Sequence, residues 1–276
     1  MLRVAALQYC ASDDVAKNLH HIQPLIAEAA TKASLVALPE CANYLAASRE
    51  QLFQKAEWDD ESYSQKWFGN IAHKYGVWLL AGSLIMRRRD NNQLANRSLL
   101  FGPDGEMVAY YDKIHMFDAD VGDGKMYRES ASFSAGQSPV IAHIDNVPCG
   151  LTICYDVRFA HLYRQLALDG AQLFLVPAAF TALSGKAHWH VLLRARAIET
   201  GCYIVAPAQS GTHADGRKTY GHSLIISPWG EIIAEAKDGD SIIYAALDLS
   251  ATARARNAIP SLKTNPVIGP TRTIGP

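Results

Sequence analysis

Strand-like and helix-like periodicities alternate along the whole chain, and hairpin signals interrupt that alternation. No other feature constrains the fold as much. Residues 3–9 form an apolar strand-like run, after which Ser12-Asp13-Asp14 offer helix caps. Val15, Leu19, Ile22 and Ile26 then recur on one helical face, with Pro24 predicting a kink or a later helix start. Residues 35–39 read as a short buried strand ending at Glu40. A helix over 61–74 precedes a strand over 77–82. Strands over 96–101 and 106–112 flank Gly102-Pro103-Asp104-Gly105, a strong turn sequence. A polar loop over 118–127 leads to strands over 139–144 and 148–153. A helix over 158–168, closed by Gly170, precedes a strand over 173–177, a helix over 188–200 and a strand over 202–206. A second hairpin pairs 223–227 with 231–236 across Pro228-Trp229-Gly230, and a strand over 242–247 follows.

Hairpins mixed with helical crossovers predict mixed rather than purely parallel sheets. The simplest arrangement is an α/β, four-layer α-β-β-α sandwich, with two mixed β-sheets covered by helices. With 276 residues, 49% of them apolar, the chain is long enough to bury such a core. Residues 1–258 read as one domain. Residues 259–276 carry four prolines and little periodicity, which predicts an extended C-terminal arm packing on a partner subunit.

Charge excludes several functions. The net charge is −1, and the densest basic cluster, Arg87-Arg88-Arg89, runs straight into Asp90. A nucleic-acid partner is therefore not expected, because tracking phosphates takes many cations on one face. No apolar stretch reaches the roughly 18–20 residues of a membrane span. The N-terminal MLRVAALQYC reads as a strand rather than a secretion signal. Five scattered cysteines without a CxxC pair argue against a disulfide framework and for a reducing, cytoplasmic setting.

Three polar residues stand at strand ends, where α/β sheets place their sites: Glu40 in ALPE, Lys113 in YYDKIHMF and Cys154 in GLTICYDVRF. Singly, these read as a loop carboxylate, a surface lysine and a core thiol. Together they supply a nucleophile, a proton-transfer group and an oxyanion-stabilising cation, the set that covalent amide hydrolysis needs. A helix starting just after Cys154, with Asp156 as its N-cap, would point N–H groups at the sulfur and favour a thiolate. Rival constellations are weaker. His188 and His190 lie two apart on a helix and face different ways, so no metal site is expected from them. His115 is left a supporting role at most. The glycine-containing VGDG at 121–124 matches no nucleotide-binding pattern.

ALPE, DKIHMF and GLTICYDVRF, in that order, resemble the Glu, Lys and Cys signatures of the nitrilase superfamily of carbon–nitrogen hydrolases. The likeness extends from RVAALQ to HSLIISPWGEIIAEA and IPSLK. It implies the same sandwich fold, commonly dimerised, and an amidase needing no cofactor. It also implies Glu40 as general base and acid, Cys154 as nucleophile and Lys113 as oxyanion stabiliser. The backbone N–H of Tyr155 would be a second oxyanion donor, and Glu129, in YRESASF, would hold Lys113 charged. Asp156 and Arg158 read as structural.

Within the superfamily, PAAFTALSGKAHWHVLLRARAIETGCYIVAPAQ is most similar to the branch containing deaminated-glutathione amidases and ω-amidases. The expected substrate is a small carboxylate-bearing amide, first deaminated glutathione, cleaved to 2-oxoglutarate and Cys-Gly through a thioester. The alternative is 2-oxoglutaramate. A non-catalytic, ligand- or partner-binding member is a reading of a different class, in which Cys154→Ala would be silent. Arg128 and Lys186 are the candidate carboxylate-binding cations, and Tyr44 and Phe180 the candidate acyl-pocket walls. A homodimer or higher homo-oligomer is expected, with the helices over 158–168 and 188–200 as the dimer surface.

Overall fold

The computed structural model describes residues 1–264 and 269–273. One sheet is built from β1 (Leu2–Gln8), β2 (Leu35–Ala37), β3 (Glu57–Trp58), β4 (Trp78–Leu80), β5 (Leu84–Arg87), β6 (Leu94–Phe101), β7 (Met107–Asp112) and β18 (Ser241–Leu247). Its order is β18-β1-β2-β4-β6-β5-β3, with β7 also paired to β6. The hairpins β8 (Asp118–Asp120)/β9 (Met126–Arg128) and β14 (Ser210–Thr212)/β15 (Lys218–Tyr220) stand apart from the two large sheets. The second sheet runs β10 (Val140–Ile144), β11 (Val147–Leu151), β12 (Leu173–Leu175), β13 (Tyr203–Ala206), β16 (Leu224–Ile226) and β17 (Ile232–Glu235) in that order. Both sheets are mixed: β1, β2 and β4 pair in parallel, as do β11, β12 and β13 and the edge pair β3/β5, while β18, β6, β7, β10, β16 and β17 add antiparallel pairings.

The period-two alternation of strand side chains sorts the layers. Val4, Ala6, Leu35, Ala37, Leu80 and Leu100 join the core shared with the second sheet. Their neighbours Ala5, Leu7, Val36, Leu79 and Leu99 face the opposite way. There they meet Leu19, Ile22 and Ile26 of α1 (Val15–Ala30) and Phe68 and Ile71 of α3 (Tyr63–Tyr75). On the far side, α4 (Ala160–Leu168) and α5 (Ala182–Thr200) bring Leu162, Tyr163, Trp189 and Leu193 onto the second sheet. The expected α-β-β-α sandwich is the architecture of the chain.

Several local expectations need correction. Helix α1 runs through Pro24 without a break and starts at Val15. His20, whose carbonyl loses its partner to the proline ring, is on the exposed side, so water can satisfy it. Helix α5 begins at Ala182 rather than near 188; in its first turn Ser184 and Gly185 are buried, Ser184 sharing a 2.6 Å hydrogen bond with Thr181 and Gly185 packing against Tyr220. The stretch over 118–127 holds the small β8/β9 hairpin rather than a plain loop. Helices α2 (Arg49–Lys55) and α6 (Ser250–Ala258) were not anticipated. After α6 the chain turns back onto itself. The Arg164 guanidinium donates to the Thr264 carbonyl at 3.1 Å, and the Ser261 hydroxyl to the Glu199 carbonyl at 3.3 Å. The first part of the expected arm therefore lies on its own α4 and α5; residues 265–268 and 274–276 of it lie outside the described residues.

Candidate active site

Three strand ends converge on one cavity. Glu40 follows β2, Lys113 follows β7 and Cys154 lies three residues beyond β11. All three are buried, at 5%, 2% and 8% exposure respectively. Lys113 Nζ donates to Glu40 Oε1 at 3.0 Å and to both oxygens of Glu129, at 3.0 and 2.8 Å. The other oxygen of Glu40 accepts the Ala179 N–H at 2.8 Å. Glu129 Oε2 accepts the Phe117 N–H at 2.6 Å, which fixes the second carboxylate from behind.

The backbone at each corner is built for this placement. Gly82 holds φ +65°, and a Cβ there would lie 1.9 Å from the Pro39 carbonyl oxygen, so only glycine lets the chain pass under the Glu40 corner. The amide of Cys41 then donates to the Ser83 hydroxyl at 3.0 Å. Cys154 itself takes φ 45°, an uncommon conformation for a residue with a side chain. Its N–H is anchored on the Pro177 carbonyl at 2.9 Å. A short 3-10 turn over Cys154–Arg158 follows, and α4 begins only at Ala160.

Asp156 is consequently not the N-cap of a helix beginning at Cys154. It is fully buried and gathers four donors: the Ile153 N–H at 2.8 Å, the Tyr111 hydroxyl at 2.8 Å, the His115 N–H at 3.1 Å and the His115 Nδ1 at 2.7 Å. The His115 ring in turn stacks on Phe159 with centroids 3.5 Å apart. One carboxylate thus ties the cysteine turn to the segment carrying Lys113, a tertiary role for a residue read as a local cap.

Burial and charge set the protonation states. Burial pushes the Glu40 carboxyl up, but the Lys113 ammonium, the neighbouring Cys154 thiol and the hydrogen bonds from Lys113 and Asn96 outweigh it, leaving Glu40 below its ordinary value. Burial pulls Lys113 down, yet the charges of Glu129 and then Glu40 hold it well above the ordinary lysine range. Burial pushes the Cys154 thiol well up; the Glu40 charge adds to this, and Lys113 opposes it only in part. The resting site is therefore a carboxylate, an ammonium and a neutral thiol. The thiolate expected from a helix dipole is absent, because no regular helix starts at the sulfur and a carboxylate adjoins it.

The cavity measures about 310 Å³ and includes Glu40, Lys113, Glu129, Cys154, Tyr155 and Phe180 among its lining. Phe180 is thus where an acyl-pocket wall was expected, and Arg128 stands at the exposed rim. Tyr44 does not line it: the ring is buried beside Ile85 and Leu94, with its hydroxyl donating to the Leu52 carbonyl at 3.2 Å. Lys186 does not line it either, because it projects to solvent from the second turn of α5. Arg217 and Arg49 take its place in the lining. Arg217 pairs with Asp215 at 3.2 Å and lies over the Tyr127 ring, and Arg49 donates to the Ala131 carbonyl at 2.6 Å. Asn96 was also missed: its amide bridges Glu40 Oε1 at 2.9 Å and Glu129 Oε1 at 3.2 Å. The available signal was an Asn-Arg pair inside LANRSLLF, a strand that is otherwise apolar enough to be buried throughout.

A fold and site of this kind define a hydrolase of carbon–nitrogen bonds. The carbon–nitrogen hydrolase family model matches residues 3–257. The chain is 41% identical to the deaminated glutathione amidase of Synechocystis sp. over 263 residues, covering 94% of this chain and 96% of that protein. It is 35% identical to omega-amidase NIT2 of Xenopus tropicalis over 259 residues, covering 94% and 92%. Among solved structures, Saccharomyces cerevisiae Nit3, a member of branch 10 of the nitrilase superfamily, superposes with a TM-score of 0.85 at 30% identity, covering 94% of each chain. The chain belongs to the carbon–nitrogen hydrolase family, and it is a hydrolase acting on carbon–nitrogen bonds other than peptide bonds. No helix among the described residues is long and apolar enough to cross a membrane.

Proposed function

We propose that the chain is a cysteine amidase that cleaves a small carboxylate-bearing amide through a thioester, with Glu40, Lys113, Glu129 and Cys154 as its machinery. The observation that carries this reading is the hydrogen-bonded convergence of Glu40 and Lys113 beside Cys154 in one cavity. With a neutral thiol and an ionised carboxylate at rest, Glu40 takes the thiol proton as sulfur attacks the amide carbon. The oxyanion that forms is stabilised by the Lys113 ammonium and by the Tyr155 N–H, which lies in the first turn of the 3-10 segment where N–H groups lack intrahelical acceptors. Glu40 then returns the proton to the departing nitrogen, and the C–N bond breaks to leave an acyl-cysteine. Water adds to the thioester with Glu40 again as base, releasing the carboxylic acid and restoring the thiol. The chemistry uses one water per amide and requires no cofactor.

Deaminated glutathione is the preferred substrate in this proposal, giving 2-oxoglutarate and Cys-Gly; 2-oxoglutaramate is the second reading. Arg128, Arg217 and Arg49 around the cavity favour an amide with carboxylates on both sides of the scissile bond, since guanidiniums bind carboxylates bidentately. Relatives of this chain are named for each of these two activities. The discriminating experiment is steady-state hydrolysis of both amides side by side. A higher kcat/KM for deaminated glutathione supports the first reading, and a higher value for 2-oxoglutaramate replaces it with the second. Failure to turn over either removes both.

The homodimer also stands as a proposal. Helices α4 and α5 expose apolar side chains, with Val191 67% exposed, Ile198 52% and Leu168 50%. A second copy would cover them. Light scattering on the purified protein tests this, and a monomer at micromolar concentration would refute it.

A further inference from the structure

Away from the catalytic cavity, three side chains from three separate segments meet at one point. They are His190 on α5, His222 just ahead of β16, and Glu235 at the end of β17. Glu235 Oε1 lies 2.9 Å from His190 Nε2 and 2.8 Å from His222 Nδ1. The candidate ligand atoms of all three lie within 4.8 Å of one another, and none of the three residues lines the cavity.

Neighbouring contacts anchor the backbone and rings of the cluster. Glu235 is paired with Leu224 in the β16–β17 ladder. The His222 carbonyl accepts the Trp189 indole N–H at 2.8 Å, one residue before His190. The Tyr220 ring stacks on His222 with centroids 4.3 Å apart. His222 also keeps φ 52°, a left-handed conformation uncommon for a residue with a side chain. Arg194, one turn beyond His190 on α5, donates its Nε to the Gly230 carbonyl at 2.8 Å.

We propose that His190, His222 and Glu235 form a binding site for a divalent transition-metal ion of the Zn²⁺ type. Two imidazole nitrogens and one carboxylate oxygen match the donors that such ions select, and a water would complete a tetrahedron. Each ring binds through the nitrogen that now faces Glu235 and carries its proton on the other nitrogen, so both imidazoles stay neutral. Ligand distances of about 2.0–2.2 Å at tetrahedral angles require the nitrogen–oxygen separations to open by roughly half an ångström. Side chains that are partly solvent-exposed can make that adjustment. The ion joins α5 to the outer strands of the second sheet. Thr181 and Ser184, at the start of the same helix, line the catalytic cavity, so the site braces a cavity wall without entering the chemistry.

The test is equilibrium dialysis with Zn²⁺ on the full chain carrying Cys154→Ala, which removes the reactive thiol as a competing ligand. The proposal expects one equivalent bound with a micromolar dissociation constant. Affinity falls at least about tenfold in His190→Gln and in Glu235→Gln, each checked for native circular dichroism. Saturating Zn²⁺ raises Tm by about 5 °C in the parent and not in these variants. Co²⁺ in place of Zn²⁺ gives ligand-field bands without sulfur-to-metal charge transfer. No saturable binding below about 100 µM overturns the proposal. So does binding that both variants leave unchanged, or a sulfur charge-transfer band, because either places the ion elsewhere.

Discussion

The buried carboxylate of Asp156 accepts the Tyr111 hydroxyl at 2.8 Å, joining the turn that presents Cys154 to the strand that ends beside Lys113. The bond links the segments that carry Cys154 and Lys113 through two side chains that do not line the cavity. Asp156→Asn keeps the shape but turns one acceptor oxygen into a donor facing N–H or O–H groups. The expected cost is about 2–4 kcal/mol of stability, read by denaturant unfolding. The kcat should drop roughly 10–100-fold in the protein that remains folded, because displaced catalytic groups lose near-attack geometry.

Removing Lys113 leaves Glu40 and Glu129 facing each other without a cation. In Lys113→Met, like-charge repulsion raises the carboxyl pKa of this pair, so the general base is protonated over part of the neutral range. The kcat falls by about 10²–10³ or more from the lost oxyanion contact. Its acid limb also moves to higher pH than in the parent. An unchanged acid limb would mean that Lys113 does not hold Glu40 ionised.

The pH dependence follows from the same charges. Glu40 titrates below its ordinary range, and Lys113 and Cys154 above theirs. Activity should therefore be flat from about pH 5 to about pH 9, with the acid loss falling below the ordinary glutamate value of about 4.3. Linkage has a matching sign. A depressed carboxylate stabilises the fold above its unfolded pKa, and that contribution is lost as pH falls through the folded value. Denaturation midpoints measured from pH 7 down to pH 3 should fall most steeply at the acid end. The thiol should show no thiolate ultraviolet absorbance at pH 7.

Arg217 and Lys186 separate lining from proximity in sequence. Arg217→Met should raise KM for a dicarboxylate amide about 10-fold or more with a smaller change in kcat, as expected for a group that binds without touching the reacting atoms. Lys186→Met should leave both constants within about twofold, since its ammonium projects to solvent. Steady-state kinetics on the two variants checks this directly.

What the sequence revealed and what it hid follow from how local each signal is. Glu40, Lys113 and Cys154 were legible because each interrupts an apolar strand at its end, where an unpaired charge or a placed thiol is costly unless used. The layer order was legible because strand alternation and hairpin turns are local patterns. Asp156 was misread because its partners Tyr111 and His115 are 45 and 41 residues away, while its local context resembles a cap. Arg217 was missed because ADGRK reads as a turn, and only the fold of β14/β15 brings that turn over the cavity. Tyr44 follows Glu40 closely, but Cys41 takes φ 57° immediately after the glutamate, and the ring ends in a separate small core. Adjacent residues can thus serve different layers.

The account rests on an acyl group passing through Cys154. The most direct measurement is intact-mass analysis of enzyme quenched in acid during turnover of an aryl ester of the same 2-oxo acid, whose good leaving group makes acylation outrun hydrolysis. The account expects a mass increase equal to the acyl group, mapped to the peptide carrying Cys154 and absent in Cys154→Ala. Turnover with no adduct on Cys154 at any time, or undiminished turnover by Cys154→Ala, would contradict it.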